Sequence, residues 1–379
     1  MKRRFTAGIL SAAVVFLCGC GSVFDREYVA VNDYVPTTQE NCNGDERVTV
    51  RNLPQLKQAL RVMVADGERE GNIVFDSAYD GEATEDMAAA CWQVRSQDAL
   101  CAYCVENISY ELSKIVTYFE AKVTISYSRD MQQEGNIVNL PYSIGVEDSI
   151  KSALEQGMTR LVVLIGSSSY SAEEMESLVG KVYRQNPAGA TKEPIVNVNM
   201  LSGTGLQRLY EINLNYGLTA NELEARQKSL RELSLFPEEE TDGLDAAHRV
   251  LAICSYLQEH CSYTEDAECN DVYAALIRGE ANSEGLALAC VELCHRLGIE
   301  CQIVYGQLNW QDHCWNIVSL DGEAYHVDPA ICLTEGIDRG FLLSDEAIWS
   351  SHRWDTSAYP RCAGILSYAS LSEKTENNT

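Results

Sequence analysis

Apolar residues recur at helical and strand spacing along most of the chain, and this pattern predicts many short elements. Between residues 46 and 218, helical spacing such as that of Leu56 and Leu60 alternates with short apolar runs such as 161–165. The order strand, helix, strand, helix, strand occurs about twice there, and residues 87–118 are predicted to be largely helical. We therefore predict an α/β region over 46–218 with a two-fold internal repeat.

The remainder of the chain divides at a polar, acidic stretch. Residues 219–240 combine a polar helix with an acidic run, and we predict a linker helix there. Between 241 and 379, an amphipathic helix over 284–297 precedes a strand and then two strands joined at Asp321-Gly322, a strong tight-hairpin signal. The predicted fold class for the whole chain is α+β.

The Asp-Gly turn fixes the register of this hairpin and brings polar side chains together. A two-residue loop pairs Leu320 with Glu323, so Trp315 faces Asp328. Because side chains alternate with period two, His313 shares a face with Trp315 and Asp328 and is a diagonal neighbour of Asp328. We predict an imidazole–carboxylate contact between His313 and Asp328.

Ser283 is predicted to lie at the start of the helix over 284–297. Backbone N–H groups and the helix dipole favour negative charge at that end of a helix. Ser283, His313 and Asp328 thus form a pattern of nucleophile, base and orienter, which is the arrangement of acyl-transfer enzymes. The alternative is structural, with Ser283 as a simple N-cap residue and His313 as a core histidine.

Four short motifs in this region resemble those of bacterial transglutaminase-like domains, which belong to the papain-like cysteine peptidase group. The matching motifs are Glu284-Gly285, Leu297-Gly298-Ile299, His313-Cys314-Trp315-Asn316 and His326-Val327-Asp328-Pro329. The resemblance covers roughly residues 241–379 and implies a domain in which a helix packs on an antiparallel sheet. It also implies that residue 283 is the nucleophile position, where the family has Cys and this chain has Ser.

The serine changes the chemistry that such a site can perform. A thiol beside a helix N-terminus and an imidazole ionises to a stable thiolate, whereas a hydroxyl must lose its proton to the base during attack. We therefore predict a degenerate enzyme that acts as a surface binding or scaffolding protein for a protein or a cell-wall peptide. The alternative is an active acyl-transfer enzyme, either a peptide or amide hydrolase or a protein cross-linker, that uses Ser283, His313 and Asp328 as a triad.

Two cysteines near the motifs are not expected to replace the missing nucleophile. Cys314 neighbours His313 on a strand and points to the opposite face. Cys290 lies two helical turns from Ser283, a distance on the order of 10 Å.

The first 45 residues predict export and attachment to a membrane. A basic start, Lys2-Arg3-Arg4, precedes an apolar run over 7–17 that is shorter than a membrane span. The sequence Leu17-Cys18-Gly19-Cys20 resembles a bacterial lipobox, which implies a signal peptide of residues 1–19 and lipidation of Cys20. Residues 20–45 would then form a tether on the extracellular side of the cell membrane. An ordinary secretory signal is the alternative.

Charge and cysteine content disfavour several classes of function. The formal net charge of −27 argues against nucleic-acid binding, because no basic face is available to meet phosphate. Of the 15 cysteines, those other than Cys18 and Cys20 are odd in number, and their pairing cannot be deduced from spacing. The C-x-x-C sequence Cys101–Cys104 lies in a helical stretch rather than after a strand, so we predict no redox site. No ligand cluster has zinc spacing, and we predict neither a metal nor a cofactor.

Overall fold

The computed structural model describes residues 47–129, 137–233 and 243–371. The predicted signal peptide, Cys20 and the tether lie outside these described residues, and so does the acidic run after residue 233. The chain from Arg47 onward forms one compact unit. Within the described ranges, none of the helices has both the length and the apolar character needed to cross a membrane.

Residues 47–127 form a four-stranded sheet packed against three helices. In chain order the elements are β1 (Arg47–Asn52), α1 (Leu53–Ala65), β2 (Glu70–Asp80), α2 (Ala83–Gln97), α3 (Ala99–Cys104), β3 (Val105–Ile115) and β4 (Tyr118–Tyr127). The strand order is β1-β2-β4-β3, with β1 parallel to β2 and the other neighbours antiparallel. The expectation that 87–118 is largely helical is wrong over β3. Most side chains of this edge strand are exposed, so its apolar alternation is faint in the sequence.

Residues 138–215 form a second sheet with the same connectivity as the first. In chain order the elements are β5 (Val138–Tyr142), α4 (Val146–Glu155), β6 (Arg160–Ser167), α5 (Ala172–Gln185), α6 (Pro187–Ala190), β7 (Ile195–Ser202) and β8 (Arg208–Asn215). The strand order is β5-β6-β8-β7, again with one parallel pair followed by two antiparallel pairs. Helix α5 begins at a capping box, in which the side chains of Ser171 and Glu174 each bond the other's backbone N–H.

The described chain from residue 220 onward places a long helix against an antiparallel sheet. In chain order the helices and strands are α7 (Ala220–Glu232), α8 (Ala246–His260), β9 (Ser262–Tyr263), β10 (Glu280–Ala281), α9 (Ser283–Arg296), β11 (Glu300–Leu308), β12 (Gln311–Leu320), β13 (Glu323–Val327), α10 (Pro329–Thr334), α11 (Ile337–Gly340), α12 (Asp345–Ile348) and β14 (His352–Arg353). The main sheet has the order β13-β12-β11-β14 and is antiparallel throughout. The predicted α+β class is confirmed. The domain boundaries drawn from the sequence stay a prediction.

Helix α9 is central to the core of this last part. Every residue from Gly285 to Cys294 is buried, so all sides of the helix are covered over these turns. The helix contacts β11 and β12 of the sheet as well as α8 and α10. Burial on all sides holds the helix rigidly, and its first residues are thereby held in a fixed position against the sheet.

Candidate active site

The start of helix α9 is shaped by three consecutive polar residues and a glycine. The side-chain oxygen of Asn282 accepts hydrogen bonds from the N–H groups of Glu284 and Gly285, each at 3.1 Å, and so caps the helix. Ser283 is the first helical residue and is half-buried. A Cβ at Gly285 would lie 2.7 Å from the carbonyl oxygen of Cys269. The lack of a side chain at Gly285 therefore lets the preceding chain pass close beside the helix.

The β12–β13 hairpin has the register that its Asp-Gly turn predicts. Leu320 pairs with Glu323 across the turn, which confirms the prediction. Strand β13 ends one residue before Asp328. Asp328 is the N-cap of α10, and its Oδ1 accepts a hydrogen bond from the N–H of Ile331 at 3.0 Å. The strand end and the helix cap together fix the position of the Asp328 carboxylate.

His313 and Asp328 form the imidazole–carboxylate contact expected from the hairpin. The Nε2–H of His313 donates to Oδ2 of Asp328 at 2.7 Å, and both side chains are buried. Burial raises the pKa of Asp328, but hydrogen bonds from His313 and His352 outweigh this effect and bring the pKa to about 2. The ionised carboxylate thus holds the proton of His313 on Nε2 and leaves Nδ1 as the basic nitrogen.

A second histidine, His352 on β14, also binds the same carboxylate. Its Nε2–H donates to Oδ2 of Asp328 at 3.2 Å, and its Nδ1 is 2.9 Å from the hydroxyl oxygen of Ser351. His352 is buried, with 2% of its surface exposed. No sequence signal predicted this residue as part of the site. The histidine is separated from Asp328 by a turn-rich segment, and β14 is too short to show an apolar pattern.

Ser283 lies beside the strand that carries His313, but it is not bonded to that histidine. Its Oγ accepts a hydrogen bond from the backbone N–H of Cys314 at 3.3 Å. Within the described part of the chain, His313 bonds only Asp328, and its ring stacks on Trp315. The structure therefore brings the three predicted site residues to one region. The Ser283 hydroxyl is hydrogen-bonded to a backbone N–H, and the His313 imidazole is hydrogen-bonded to the Asp328 carboxylate. Their catalytic roles stay predictions.

The ring of Trp315 packs against the rings of His313, His326 and His352. The ring is fully buried, and its Nε1–H donates to Nδ1 of His326 at 3.0 Å. His326 in turn donates from Nε2 to Asp345 at 2.9 Å. Burial lowers the pKa of His326, and the Asp345 carboxylate opposes that effect only in part. A Cβ at Gly306 would lie 2.6 Å from the Trp315 ring, so glycine is needed opposite it.

The thiols near the site do not supply a substitute nucleophile. Burial raises the pKa of Cys314 far above the ordinary value, so its thiol stays protonated. Hydrogen bonds from the thiols of Cys294 and Cys301 lower the pKa of Cys290, but this residue lies two turns along α9 in contact with those two cysteines. The Cys101–Cys104 pair lies in the short helix α3, as predicted, and burial raises the pKa of Cys101.

Three groups of side chains among the described residues have donor atoms close enough to share a metal ion. In each group the donor atoms lie within 4.8 Å of one another, and the groups are His313, Asp328 and His352; His326, Asp345 and Cys362; and Cys290, Cys294 and Cys301. The two groups that contain histidine are accounted for by their hydrogen bonds. Cys362 reinforces the second of them, because its N–H donates to Asp345 at 3.2 Å.

Comparison with known proteins agrees with the motifs. Residues 238–329 match the model of the transglutaminase-like superfamily. Among curated proteins, none matches this chain.

Solved structures give three distant similarities. A TGase crystal structure is 12% identical over 51% of this chain and 58% of its own chain, with a TM-score of 0.23. A candidate cysteine protease from Cytophaga hutchinsonii is 12% identical over 39% of this chain and 65% of its own, with a TM-score of 0.24. A candidate protease from Parabacteroides distasonis is 9% identical over 68% of this chain and 40% of its own, with a TM-score of 0.21. The chain thus spans less than two thirds of each of these structures.

At such TM-scores the assignment depends on the superfamily match and not on the structural similarities. The matched range begins before α8 and ends just after Asp328, so it contains the start of α9, the hairpin and all three predicted site residues. The C-terminal part of this chain therefore contains a transglutaminase-like domain.

Proposed function

We propose that this transglutaminase-like domain is catalytically degenerate and binds an extended segment of a protein or a cell-wall peptide without turning it over. One observation carries the proposal. The hydroxyl of Ser283 accepts a hydrogen bond from the backbone N–H of Cys314, while His313 donates to Asp328 and makes no hydrogen bond to Ser283 among the described residues. The nucleophile and the base are therefore not coupled.

The chemistry of the hydroxyl supports the same conclusion. A thiol at the start of α9 would be ionised before substrate arrives, because the helix N-terminus and an imidazole both stabilise a thiolate. The Ser283 hydroxyl needs a base that removes its proton during attack. That proton transfer requires a hydrogen bond from the hydroxyl to Nδ1 of His313, and this bond is missing in the described structure.

The same site keeps features that suit a bound peptide. Asn282 occupies the N–H groups of Glu284 and Gly285, so among the residues that the structure describes the N–H of Ser283 is the first-turn donor left for a peptide carbonyl. The hydroxyl of Tyr305 donates to Glu284 at 3.0 Å, and this tyrosine is 39% exposed, with the Arg184 guanidinium 5.6 Å from the centre of its ring. A partly exposed aromatic residue bonded to the residue after Ser283 suits contact with a peptide.

Binding without turnover can be tested with two substitutions at one position. Peptides that include cell-wall stem peptides are equilibrated with wild-type protein, and the retained material is identified by mass spectrometry. We expect Ser283→Ala to retain the same intact peptides with an affinity within about threefold of wild type, because no covalent step is lost. Ser283→Phe fills the site and should weaken retention by about tenfold or more. Cleaved or cross-linked products formed by wild type and lost in Ser283→Ala would contradict the proposal.

A second candidate is Ser283-dependent acyl transfer, and the intact His313–Asp328 pair favours it. The pair supplies an oriented base whose carboxylate partner is ionised at neutral pH. Under this hypothesis, substrate binding would break the hydrogen bond between the Cys314 N–H and Ser283 Oγ. The Ser283 hydroxyl could then donate to Nδ1 of His313. The product analysis above distinguishes the two candidates, because only this one predicts product formation by wild type.

We also propose that the protein is exported and anchored to the extracellular face of the cell membrane by lipid on Cys20. The support is the basic start, the short apolar run and the lipobox-like sequence that ends at Cys20. We expect Cys20→Ala to abolish lipid labelling and release the protein from the membrane fraction. Cys18→Ala is the matched control and should leave both properties unchanged. A Cys20→Ala protein that is still processed and lipid-labelled would contradict the lipobox interpretation.

A further inference from the structure

Three cysteines of the C-terminal domain meet at the end of helix α9, outside the candidate active site. Cys290 and Cys294 lie one turn apart on α9, so their sulfurs project from the same side of the helix. After Gly298 the chain turns back, and Cys301 follows at the start of β11. The three sulfur atoms lie within 4.8 Å of one another.

The surroundings of the three sulfurs are dry. Cys290 and Cys294 have no exposed surface, and Cys301 is half-buried at the edge. As thiols, the three groups hydrogen-bond one another. As thiolates, they would present three sulfur ligands to a single ion, because their sulfur atoms converge from a helix and a strand.

A fourth polar atom is buried at the same place. The side chain of Asn316 on β12 has no exposed surface, and its amide N–H donates to the thiol of Cys301. Its Nδ2 donates to the carbonyl oxygen of Ala287 at 3.0 Å. Its Oδ1 is buried and has no hydrogen-bond partner among the described atoms. An acceptor left without a donor in a dry core costs about 1–3 kcal/mol unless something binds it, and a cation would do so.

We propose that Cys290, Cys294 and Cys301 bind one Zn²⁺ ion, with the side-chain amide of Asn316 turned so that its Oδ1 is the fourth ligand. Thiolates at about 2.3 Å from a tetrahedral zinc ion are about 3.8 Å apart, so the sulfurs need to approach by no more than about 1 Å. Zinc suits this set because it is a borderline-soft ion that accepts sulfur and oxygen ligands and has no redox chemistry of its own.

The site is structural in kind. Four protein ligands leave no open position, and the ion would fasten the end of α9 to the first residues of β11 and to β12. The spacing of the ligands differs from that of common zinc motifs, which contain two close cysteine pairs. The spacing C-x₃-C-x₆-C follows instead from one helical turn and one reversal of the chain.

The test measures metal content of the full-length protein after purification from zinc-supplemented medium under reducing conditions. We expect about one zinc per chain in wild type. The triple substitution Cys290→Ala, Cys294→Ala and Cys301→Ala should lose the metal. Cys91→Ala, which removes a buried cysteine from the first sheet's core, should keep it. Removal of zinc by a strong chelator should lower the Tm of wild type by several degrees and leave that of the triple variant unchanged.

A measurement on wild type alone guards against a triple variant that fails to fold. Addition of Co²⁺ to metal-free protein should produce the sulfur-to-cobalt charge-transfer band of thiolate ligands and saturate at about one equivalent. Wild type that takes up neither zinc nor cobalt would overturn the proposal. So would a disulfide between two of the three cysteines, found by peptide mapping of protein purified without reductant.

Discussion

Ser283→Cys is expected to create a reactive thiol with a pKa well below that of a free cysteine. The substituted residue would begin α9, where the helix N-terminus favours a thiolate, and would lie beside His313, which the ionised Asp328 holds in place. An ordinary thiol of pKa ~8.5 is about 0.3% ionised at pH 6, whereas one of pKa below ~7 is about 10% ionised or more. The ionised fraction is thus about thirtyfold higher, but a thiolate of lower pKa is also a weaker nucleophile. Alkylation by iodoacetamide at pH 6 should therefore be about tenfold faster than at an ordinary exposed thiol.

Two variants isolate the origin of this reactivity. Ser113→Cys places a thiol at an exposed strand position of the first sheet and defines the ordinary rate. Ser283→Cys combined with His313→Ala should lose most of this advantage, because only the helix end still stabilises the thiolate. Native thiols contribute little background, since most of those described are buried. Sites of modification are quantified by peptide mass spectrometry. An introduced thiol that reacts no faster than the one at position 113 would mean that the surroundings of residue 283 no longer activate a nucleophile.

Asp328→Ala is expected to be among the most destabilising single substitutions in the domain, with a loss of about 3–5 kcal/mol in the free energy of unfolding. The fully buried carboxylate accepts from two buried histidines and also caps α10. Its removal leaves both imidazole donors without an acceptor in the core. Asp312→Ala removes an exposed carboxylate from the same strand as His313 and should change stability by less than about 0.5 kcal/mol. Denaturant unfolding measures both.

The lowered pKa of Asp328 also predicts a pH dependence of stability with a definite sign. The folded-state pKa of about 2 lies below the ordinary value of 3.8, so the native state favours the ionised carboxylate. The resulting stabilisation, on the order of 2 kcal/mol, is complete above the ordinary pKa and is lost as the pH falls through about 2. Asp328→Asn should lack this component of the acid transition. Equal acid dependence in wild type and Asp328→Asn would show that the carboxylate is not held as described.

Local sequence signals predicted the parts of the site that short-range rules determine. The Asp-Gly turn fixed the pairing of Leu320 with Glu323, and two-residue alternation then brought His313 to Asp328. Apolar spacing predicted α9 to within one residue at each end. These inferences succeed because turn geometry and strand period act over a few residues.

Local sequence patterns did not predict the contacts between segments that are far apart in the chain. His352 reaches Asp328 from a two-residue strand that has no apolar pattern of its own. The helical prediction is wrong over strand β3 because an edge strand with exposed side chains loses the alternation that marks a strand. Cys301 joins the two cysteines of α9 only after the chain reverses at Gly298, so the sequence spacing gave no sign that the three sulfurs meet.

Reaction of wild-type protein with a fluorophosphonate probe, followed by intact-mass analysis, tests most directly whether Ser283 is a working nucleophile. The probe phosphonylates a serine only when a neighbouring base activates the hydroxyl. We predict no adduct on wild type under conditions that fully modify an active serine hydrolase, because the Ser283 hydroxyl is bonded to the Cys314 N–H and not to His313. An adduct at Ser283 that disappears in both Ser283→Ala and His313→Ala would contradict the account and establish a catalytic serine in this domain.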